Sequence, residues 1–350
     1  MRAVVGAGAW GTTLAVHLAK SGPVTLLARD ARQADLLIEA GENSRYMPGR
    51  PLPEGVRITG DPETLAEASE IVVFAVPSSA MRDSARRVAP SLARGSISLS
   101  VAKGLEEASL RRMSEVLAEE LPPGTPIAAM SGPNLALEIA DGLPASSVVA
   151  AADEAVSGRV IEIVGSRAFR LYRNRDVIGV ELCGALKNIV AIAAGAVDRL
   201  GFGDNGKAGL MTRGLAEITR LGIAAGANPL TFAGLAGIGD VIATCASPLS
   251  RNHRLGEELA KGRSWKEIEG TLPGVAEGAY TVNAALALAE RHGVELPIAQ
   301  EVHNALFEGK SVQRCLIDLL ARESKDELAD FDDWMAGLGL VRAAGGGPDH

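Results

Sequence analysis

The 350-residue chain is poor in aromatic side chains and has no excess of basic residues. The first shortage limits how the core is packed, and the second limits what the surface can bind. Aromatic residues make up only 3% of the sequence, so Ala, Leu, Val and Ile must fill the interior. The net charge of −8 argues against a surface that binds nucleic acid or an anionic membrane as a whole. A local basic pocket for a small anionic molecule is still compatible with that charge.

Cysteine and histidine are also scarce. The three cysteines are far apart and never spaced as Cys-x-x-Cys, and the five histidines show no metal-ligand spacing. We therefore predict no disulfide framework and no metal site. The thiols are expected to be small core residues in a reducing compartment; they are Cys183, Cys245 and Cys315.

The sequence also lacks a leader and an uninterrupted hydrophobic span. Met1 leads straight into a strand-like run, without the features of a signal peptide. The most apolar long segment contains Glu181, Lys187 and Asn188, which leaves it short of the ~18 consecutive apolar residues of a membrane span. We expect a soluble, cytoplasmic protein with no intrinsic membrane segment.

Two kinds of pattern follow one another along the chain. Up to about Asn174, short apolar runs such as Ile71–Val76 alternate with helix-period segments, which predicts an α/β doubly wound (Rossmann-type), mostly parallel sheet over 1–174. Helical spacing then dominates, which predicts an all-α domain over 175–325. Residues 326–350 form an acidic and then Gly/Ala-rich tail whose purpose the sequence does not indicate.

A glycine motif follows the first strand-like run. Gly6, Gly8 and Gly11 have the Gly-x-Gly-x-x-Gly spacing between a strand and a helix. This spacing permits a tight turn, close approach of backbone to a pyrophosphate, and close packing of helix on strand. We interpret it as a dinucleotide site; the alternative is an ordinary glycine-rich turn.

The second strand-like run ends at Arg29-Asp30, where a ribose-binding residue is expected. Arg29 could hold a 2′-phosphate, whereas Asp30 could bond a 2′-hydroxyl. We favour NADPH, with NADH possible. The alternative is a solvated pair of charges at the start of a helix.

Lys187 lies in a helix whose other residues are mostly small or apolar. A buried ammonium is costly unless it is paired, so this lysine is either paired or used in chemistry. Asn188 adds a second polar group to the same place. The alternative is a lysine that reaches the surface or pairs with Glu181.

Two polar segments follow predicted strands in the first half. Ser131-Gly132-Pro133-Asn134 precedes a helical segment that Asn134 could cap, and Lys103 stands at another strand end. The carboxyl ends of parallel strands form the usual ligand crevice. The alternatives are a structural Gly-Pro turn and a surface charge.

Two polar segments also occur in the helical half. Glycines surround Asp240, which suggests close packing about a polar group. Ser250 is a plausible N-cap, so Arg251 and Asn252 would lie in the first helical turn. An arginine there is disfavoured by the helix dipole unless an anion such as phosphate is bound. The alternative is a solvated basic turn.

These segments together resemble a known family, bacterial NAD(P)-dependent glycerol-3-phosphate dehydrogenase. The resemblance extends from Met1 to about Ala321. Its motifs are Gly-Ala-Gly-x-Trp-Gly at 6–11, Lys-Gly-Leu-Glu at 103–106, Ser-Gly-Pro-Asn at 131–134, Gly-Val-Glu-Leu-Cys-Gly-Ala-Leu-Lys-Asn at 179–188, Gly-Phe-Gly-Asp-Asn at 201–205, Thr-Arg-Gly-Leu-Ala-Glu at 212–217, Leu-Ala-Gly-Ile-Gly-Asp at 235–240 and Ser-Arg-Asn at 250–252.

The resemblance implies a role for each site residue. Lys187 would transfer the proton, and Lys103 and Arg251 would contact both substrate and cofactor. The substrate would also contact Gly132, Asn134, Asn188, Asp240, Thr244, Ser250 and Asn252, with the phosphate on Arg251 and Asn252. Besides Gly6, Gly8 and Gly11, the NADPH site would include Ala9, Trp10, Arg29, Tyr46, Ala136, Val275 and Glu277.

The expected reaction is reversible reduction of dihydroxyacetone phosphate to sn-glycerol 3-phosphate, which supplies the glycerophospholipid backbone. Ala9 and Asn134 depart from the family, which usually has Ser at the first position and Ser or Thr at the second. A related hydroxy-acid dehydrogenase would need to recognise a carboxylate where we expect a phosphate. A nucleotide sensor would lack the polar network. The sequence permits a homodimer.

Overall fold

The computed structural model describes residues 1–272 and 274–323. The tail predicted over 326–350 lies outside these residues. The strands all precede Arg175: β1 (Arg2–Val5), β2 (Val24–Leu27), β3 (Val56–Thr59), β4 (Ile71–Phe74), β5 (Ile97–Ser100), β6 (Ile127–Ser131), β7 (Ala145–Ala150) and β8 (Phe169–Asn174).

Six α-helices connect these strands and eight follow them within the described ranges. They are α1 (Ala9–Ala19), α2 (Ala31–Ala40), α3 (Met81–Val88), α4 (Met113–Glu120), α5 (Ala136–Ala140), α6 (Glu154–Val164), α7 (Val177–Arg199), α8 (Gly203–Ala224), α9 (Asp240–Ala246), α10 (Arg251–Ala260), α11 (Trp265–Ile268), α12 (Glu277–His292), α13 (Pro297–Phe307) and α14 (Val312–Leu320).

The strands form one sheet in the order β3-β2-β1-β4-β5-β6-β7-β8. All neighbours pair in parallel except β6 and β7, which are antiparallel. This confirms the expected doubly wound, mostly parallel sheet. The strand order reverses between β1 and β4, and the crevice at such a switch point is where parallel sheets bind ligands. The Gly6 turn follows β1 directly at that crevice.

Three strands were not singled out in the sequence, and each has a physical reason. β3 is four residues long at one edge of the sheet, and β7 begins with small residues rather than β-branched ones. β8 is the other edge strand, and its alternating sequence leaves one face exposed. Edge strands bury less apolar surface, so their hydrophobic signal is weaker.

Helix α7 is the centre of the second half. Its length and apolarity meet the criteria of a membrane-spanning helix, contrary to the sequence estimate, but 83% of its most apolar window is buried inside the protein. The residues around it belong to α8, α9, α10, α12 and α13. The helix is therefore the core of the helical region.

Glycines allow three neighbours to approach α7 at backbone distance. A Cβ at Gly184 would lie 2.5 Å from the Oγ of Ser131 on β6. A Cβ at Gly256 on α10 would lie 1.8 Å from the carbonyl oxygen of Ile192. At Gly278 on α12, a Cβ would lie 2.7 Å from the carbonyl oxygen of Asn188. These contacts bring the ends of β6, α10 and α12 around the middle of α7.

Candidate active site

The turn between β1 and α1 has the geometry of a phosphate-binding loop. Gly6 has φ +105°, and a Cβ there would lie 2.7 Å from the carbonyl oxygen of Ala75. A Cβ at Gly11 would lie 1.9 Å from the carbonyl oxygen of Gly6. Gly8 differs, because no atom lies within 4 Å of its would-be Cβ. Two glycines are therefore needed by the fold, and the third leaves open space at the N-terminus of α1.

Arg29 and Asp30 follow β2 and have different surroundings. Asp30 is the N-cap of α2 and accepts a hydrogen bond from the backbone of Gln33 at 2.7 Å. That bond, followed by the hydrogen bond from Arg29, lowers the pKa of the Asp30 carboxyl. The Arg29 side chain is 83% exposed, and its one polar partner among the described residues is Asp30, at 3.1 Å. Asp30 thus caps α2, whereas the guanidinium of Arg29 is accessible to a ligand.

The centre of the candidate site is a buried cluster of Lys103, Lys187 and Asp240. Lys187 Nζ donates to Asp240 Oδ1 at 2.8 Å, and Lys103 Nζ donates to Asp240 Oδ2 at 2.6 Å. Lys187 also donates to the Thr244 hydroxyl, and Lys103 to the carbonyl oxygen of Gly132 at 2.6 Å. The expected alternative partner of Lys187, Glu181, pairs with Arg112 instead. Thus Lys187 is paired, but with Asp240.

Two lysines on one carboxylate leave this cluster with one excess positive charge. Lys187 and Asp240 are only 5% and 1% exposed. Burial would raise the pKa of Asp240, but the charges of Lys103 and Lys187 lower it below the ordinary value. Burial lowers the pKa of Lys103 to about 8, against the opposing effect of Asp240. An ammonium has three donors, and two are used at each lysine within the described residues. Each therefore has one donor left for a ligand.

Asn188 and Asn252 connect this cluster to the start of α10. Asn188 donates to the carbonyl oxygen of Lys103 at 3.2 Å and accepts from Asn252 at 2.9 Å. Asn252 in turn accepts from the backbone N–H of Gly278 at 3.0 Å. The Asn252 side chain is thus engaged within the protein, which leaves its backbone N–H as the available donor at the helix start.

Ser250 is the N-cap of α10, as predicted, and accepts from the backbone N–H of His253. Arg251 and Asn252 consequently occupy the first turn. The Arg251 side chain is exposed, with no hydrogen bond or ion pair within the described ranges. Desolvation by the surrounding protein lowers the pKa of Arg251, against the opposing charges of Glu277 and Tyr46. An unpaired guanidinium therefore lies beside the backbone donors of a helix start.

Glu277 links the helical region to the sheet region. At the start of α12, it accepts from the backbone N–H of Ser78 at 3.3 Å and from the Ser78 hydroxyl at 2.7 Å. Ser78 follows β4 and is 3% exposed. Burial raises the pKa of Glu277 although the Ser78 bonds oppose it. This contact fixes the start of α12 at the sheet's ligand crevice.

The Ser131–Asn134 segment contacts the cluster, but one expectation about it is wrong. Asn134 does not cap α5, because Leu135 is the N-cap residue and makes no side-chain cap. Asn134 Nδ2 donates to Ser147 on β7 at 3.2 Å, and Ser147 donates to the carbonyl oxygen of Ser131 at 2.8 Å. Because the Ser147 proton is used, the Asn134 oxygen is left as a buried acceptor without a partner among the described residues.

The other predicted cofactor residues surround the same crevice. Ala9 and Trp10 begin α1, and the Trp10 ring packs edge-to-face on Phe169 with centroids 6.2 Å apart. The Trp10 indole N–H is buried without a partner in the described chain. Ala136 begins α5 and accepts from Thr13 on α1 at 3.2 Å. Tyr46 faces Arg251, and Val275 precedes Glu277 in the segment entering α12.

Two residues of this region escaped the sequence interpretation. Asn43 donates to the carbonyl oxygen of Ala7 at 3.0 Å and to Thr12 at 2.7 Å, which ties the segment carrying Tyr46 to the glycine turn. Ser78 holds Glu277. A signal existed for Ser78, because it follows a buried strand at the sheet edge where ligands bind. No local pattern marks Asn43.

A doubly wound sheet with this glycine turn, joined to a buried Lys–Asp cluster, defines a dinucleotide-dependent oxidoreductase. Comparison with known proteins specifies it further. Sequence profiles described as the N-terminus and C-terminus of NAD-dependent glycerol-3-phosphate dehydrogenase match residues 2–157 and 176–317. The chain belongs to the NAD-dependent glycerol-3-phosphate dehydrogenase family.

Individual relatives agree with this assignment over nearly the whole chain. Proteins named glycerol-3-phosphate dehydrogenase (NAD(P)+) are 46% identical in Desulfitobacterium hafniense (94% of this chain, 93% of the relative) and in Streptomyces avermitilis (93% and 97%). The crystal structure of glycerol-3-phosphate dehydrogenase from Coxiella burnetii has a TM-score of 0.88 at 38% identity and covers 91% of this chain and 98% of its own. The expected family is therefore confirmed.

Proposed function

We propose that the protein catalyses reversible reduction of dihydroxyacetone phosphate to sn-glycerol 3-phosphate with NADPH or NADH, which supplies the backbone of glycerophospholipids. The observation that carries the proposal is a buried cluster with excess positive charge, Lys103–Asp240–Lys187, connected through two asparagines to an unpaired Arg251. The first part suits a carbonyl that gains negative charge, and the second suits a phosphate. Family membership supports both parts.

The reaction requires charge stabilisation at the carbonyl oxygen. The nicotinamide of the bound cofactor supplies the hydride to the carbonyl carbon. Lys187 stabilises the growing negative charge with its free donor and transfers its proton to that oxygen. Asp240 and Thr244 hold the ammonium in place, and Lys103 adds a second positive charge on the other side of Asp240. In the reverse direction, neutral Lys187 accepts the proton.

Substrate orientation depends on the phosphate, which is remote from the reacting carbon. Arg251 provides a charged fork, and the backbone N–H groups of Arg251 and Asn252 provide helix-start donors. Binding energy at the phosphate then fixes the carbonyl carbon for hydride transfer. Gly132 and the acceptor oxygen of Asn134 complete the substrate site, and that oxygen suits the free hydroxyl of the substrate. Ser250 and Asn188 keep the helix start and Asn252 in position.

Cofactor binding is proposed at the crevice between β1 and β4. The turn of Gly6, Gly8 and Gly11, with Ala9 and Trp10 at the helix start, would hold the pyrophosphate of the cofactor, because the space at Gly8 is open. Ala9 offers no hydroxyl there, so backbone donors must hold the phosphate. Exposed Arg29 suits the 2′-phosphate of NADPH, which is why we favour NADPH over NADH. The remaining contacts lie around the crevice: Tyr46, Lys103, Ala136, Arg251, Val275 and Glu277.

The alternative is a related hydroxy-acid dehydrogenase with the same sheet and lysine. A substrate panel distinguishes the two functions: steady-state rates with dihydroxyacetone phosphate, several 2-keto acids and unphosphorylated dihydroxyacetone, each with NADPH and NADH. Preferred turnover of dihydroxyacetone phosphate supports the proposal. A higher kcat/KM for any 2-keto acid would refute it.

Three further predictions concern organisation. We propose a dinucleotide-binding domain over 1–174 and a helical substrate domain over 175–325. We also propose a cytoplasmic location and a small-molecule substrate, without nucleic acid or an intrinsic membrane segment. A homodimer remains a prediction that sedimentation would test.

A further inference from the structure

The segment that carries Lys103 has little regular structure of its own. Residues 101–112 connect β5 to α4 with a single isolated bridge between Leu105 and Arg112. Leu110 within it has φ +61°, a left-handed conformation that is unfavourable for a leucine. Such a segment does not fix the position of a lysine by itself, so contacts with other parts of the protein must do so.

One face of α7 holds this segment at both ends. Asn188 donates to the carbonyl oxygen of Lys103 at 3.2 Å, near the start of the segment. At its end, Arg112 donates to Glu181 at 2.7 Å. Glu181 and Asn188 are seven residues apart, so they lie on the same face of the helix, about 10 Å apart along its axis. Gly184 lies between them, and a Cβ there would lie 3.4 Å from Lys103 Cγ.

Within the described ranges, the side chain of Glu181 accepts hydrogen bonds from two residues, Arg112 at the end of the segment and Ser114 in the first turn of α4. Besides Arg112, its carboxylate accepts from the Ser114 backbone N–H at 2.8 Å and from the Ser114 hydroxyl at 2.5 Å. Glu181 is 7% exposed. Burial raises its pKa, against the opposing charge of Arg112. A buried carboxylate costs free energy unless it is paired, so these bonds hold residues 112–114 firmly against α7.

We propose that Glu181 is a positioning residue for the reaction: it holds residues 112–114 on α7 and thereby keeps Lys103 on Asp240, beside Lys187. The inference rests on the proposed function of the cluster. Without this hold, the hydrogen bond from Asn188 to the Lys103 carbonyl oxygen and the apolar packing of Leu105 are left to attach the segment to α7. Lys103 then moves towards solvent, so its positive charge lies farther from the reacting carbonyl and stabilises it less.

The test is the pH dependence of kcat/KM in Glu181→Gln, an isosteric variant. The groups that face Lys103 are Asp240 and Lys187, and burial holds its pKa at about 8. In the wild type, kcat/KM should fall as the pH rises through that value. In Glu181→Gln this decline should move to higher pH, because a more solvated ammonium keeps its proton longer. The rate at neutral pH should fall about tenfold. Lys103→Arg, which stays charged, should abolish the decline and identify the group.

The chain offers a matched control in Glu217 on α8. Glu217 is also 7% exposed, but its carboxylate accepts from the backbone of Ile298 and Ala299 at the start of α13, within the helical region. Glu217→Gln should change thermal stability without moving the alkaline decline. Ser114→Ala removes one of the three bonds to Glu181. It should move the alkaline decline in the same direction as Glu181→Gln, but less far. This variant provides the test if Glu181→Gln does not fold.

A folded Glu181→Gln protein with the wild-type rate and alkaline decline would overturn the proposal. An equal shift in Glu217→Gln would also overturn it, because the effect would then be one of general stability. The profile can be measured on whichever carbonyl substrate the panel identifies. Failure to reduce dihydroxyacetone phosphate would therefore refute the proposed function while leaving the role of Glu181 open to its own test.

Discussion

The two positively charged ends of the site differ in how the protein holds them. Lys187 is buried, with its partners Asp240 and Thr244 already in place. Arg251 is exposed, with no hydrogen-bond or ion-pair partner within residues 1–272 and 274–323. The Lys187 ammonium is thus preorganised by its partners, whereas the donors of the Arg251 guanidinium are free. We infer that Lys187 determines the rate of the chemical step, and that Arg251 determines which substrate is oriented for it.

The largest loss of activity should follow the replacement of the buried Lys187. Lys187→Ala should lower kcat by roughly 10²–10⁴-fold, the usual contribution of a general acid. NADPH should still bind, because the glycine turn that we propose for its pyrophosphate lies in the other region. Steady-state kinetics together with fluorescence titration of NADPH measure both quantities.

Lys207 provides the control for that variant. It lies on α8 and pairs with Asp198 outside the cluster. Lys207→Ala should retain normal turnover. Near-normal kcat in Lys187→Ala would show instead that the buried lysine is structural.

The next largest loss of activity should follow the replacement of the exposed Arg251. Arg251→Ala should lower kcat/KM for dihydroxyacetone phosphate roughly hundredfold, because it removes a charge-assisted fork worth about 1.5–3 kcal/mol. Both KM and kcat should change, since a misoriented carbonyl carbon reacts poorly. Arg254→Ala is the matched control: this arginine lies one turn later and donates to the carbonyl oxygen of Pro248. An equal loss in the control would refute the role of Arg251.

Arg29 should affect cofactor choice, with a smaller effect because its side chain is exposed and screened by salt. Arg29→Ala should raise KM for NADPH about tenfold, the lower end of a charge-assisted hydrogen bond, and leave KM for NADH nearly unchanged. Arg32→Ala, in the first turn of α2, is the control. Equal changes for both cofactors would transfer the assignment to Asp30.

The smallest effect should be one of pH. Lys103 is an ammonium below its pKa of about 8, so the second positive charge of the cluster is present at lower pH and lost as the pH rises through that value. We expect kcat/KM to decline several-fold above it. The pH–rate profile from neutral to alkaline pH measures this. A flat profile would show that the charge of Lys103 does not contribute.

Local features of this site could be predicted from sequence, and its long-range pairs could not. Ser250 as N-cap follows from its residue type ahead of a helix. The importance of Lys187 follows from a charge in an apolar helix, but its partner could not be predicted, because Asp240 is 53 residues further along the chain. Asn134 was wrongly predicted as a cap because its partner, Ser147, lies on a strand with little hydrophobic signal. Pairings set by tertiary contact leave no local periodicity.

The comparison between the two ends is tested most directly by measuring kcat/KM, at saturating NADPH, for dihydroxyacetone phosphate and for unphosphorylated dihydroxyacetone in the wild type, Lys187→Ala and Arg251→Ala. Lys187→Ala should lose both activities by the same factor, because it acts on the carbonyl that the two substrates share. Arg251→Ala should lose activity on the phosphorylated substrate and change little on the other. Loss of both activities by one factor in Arg251→Ala would contradict the account, since Arg251 would then not recognise the phosphate.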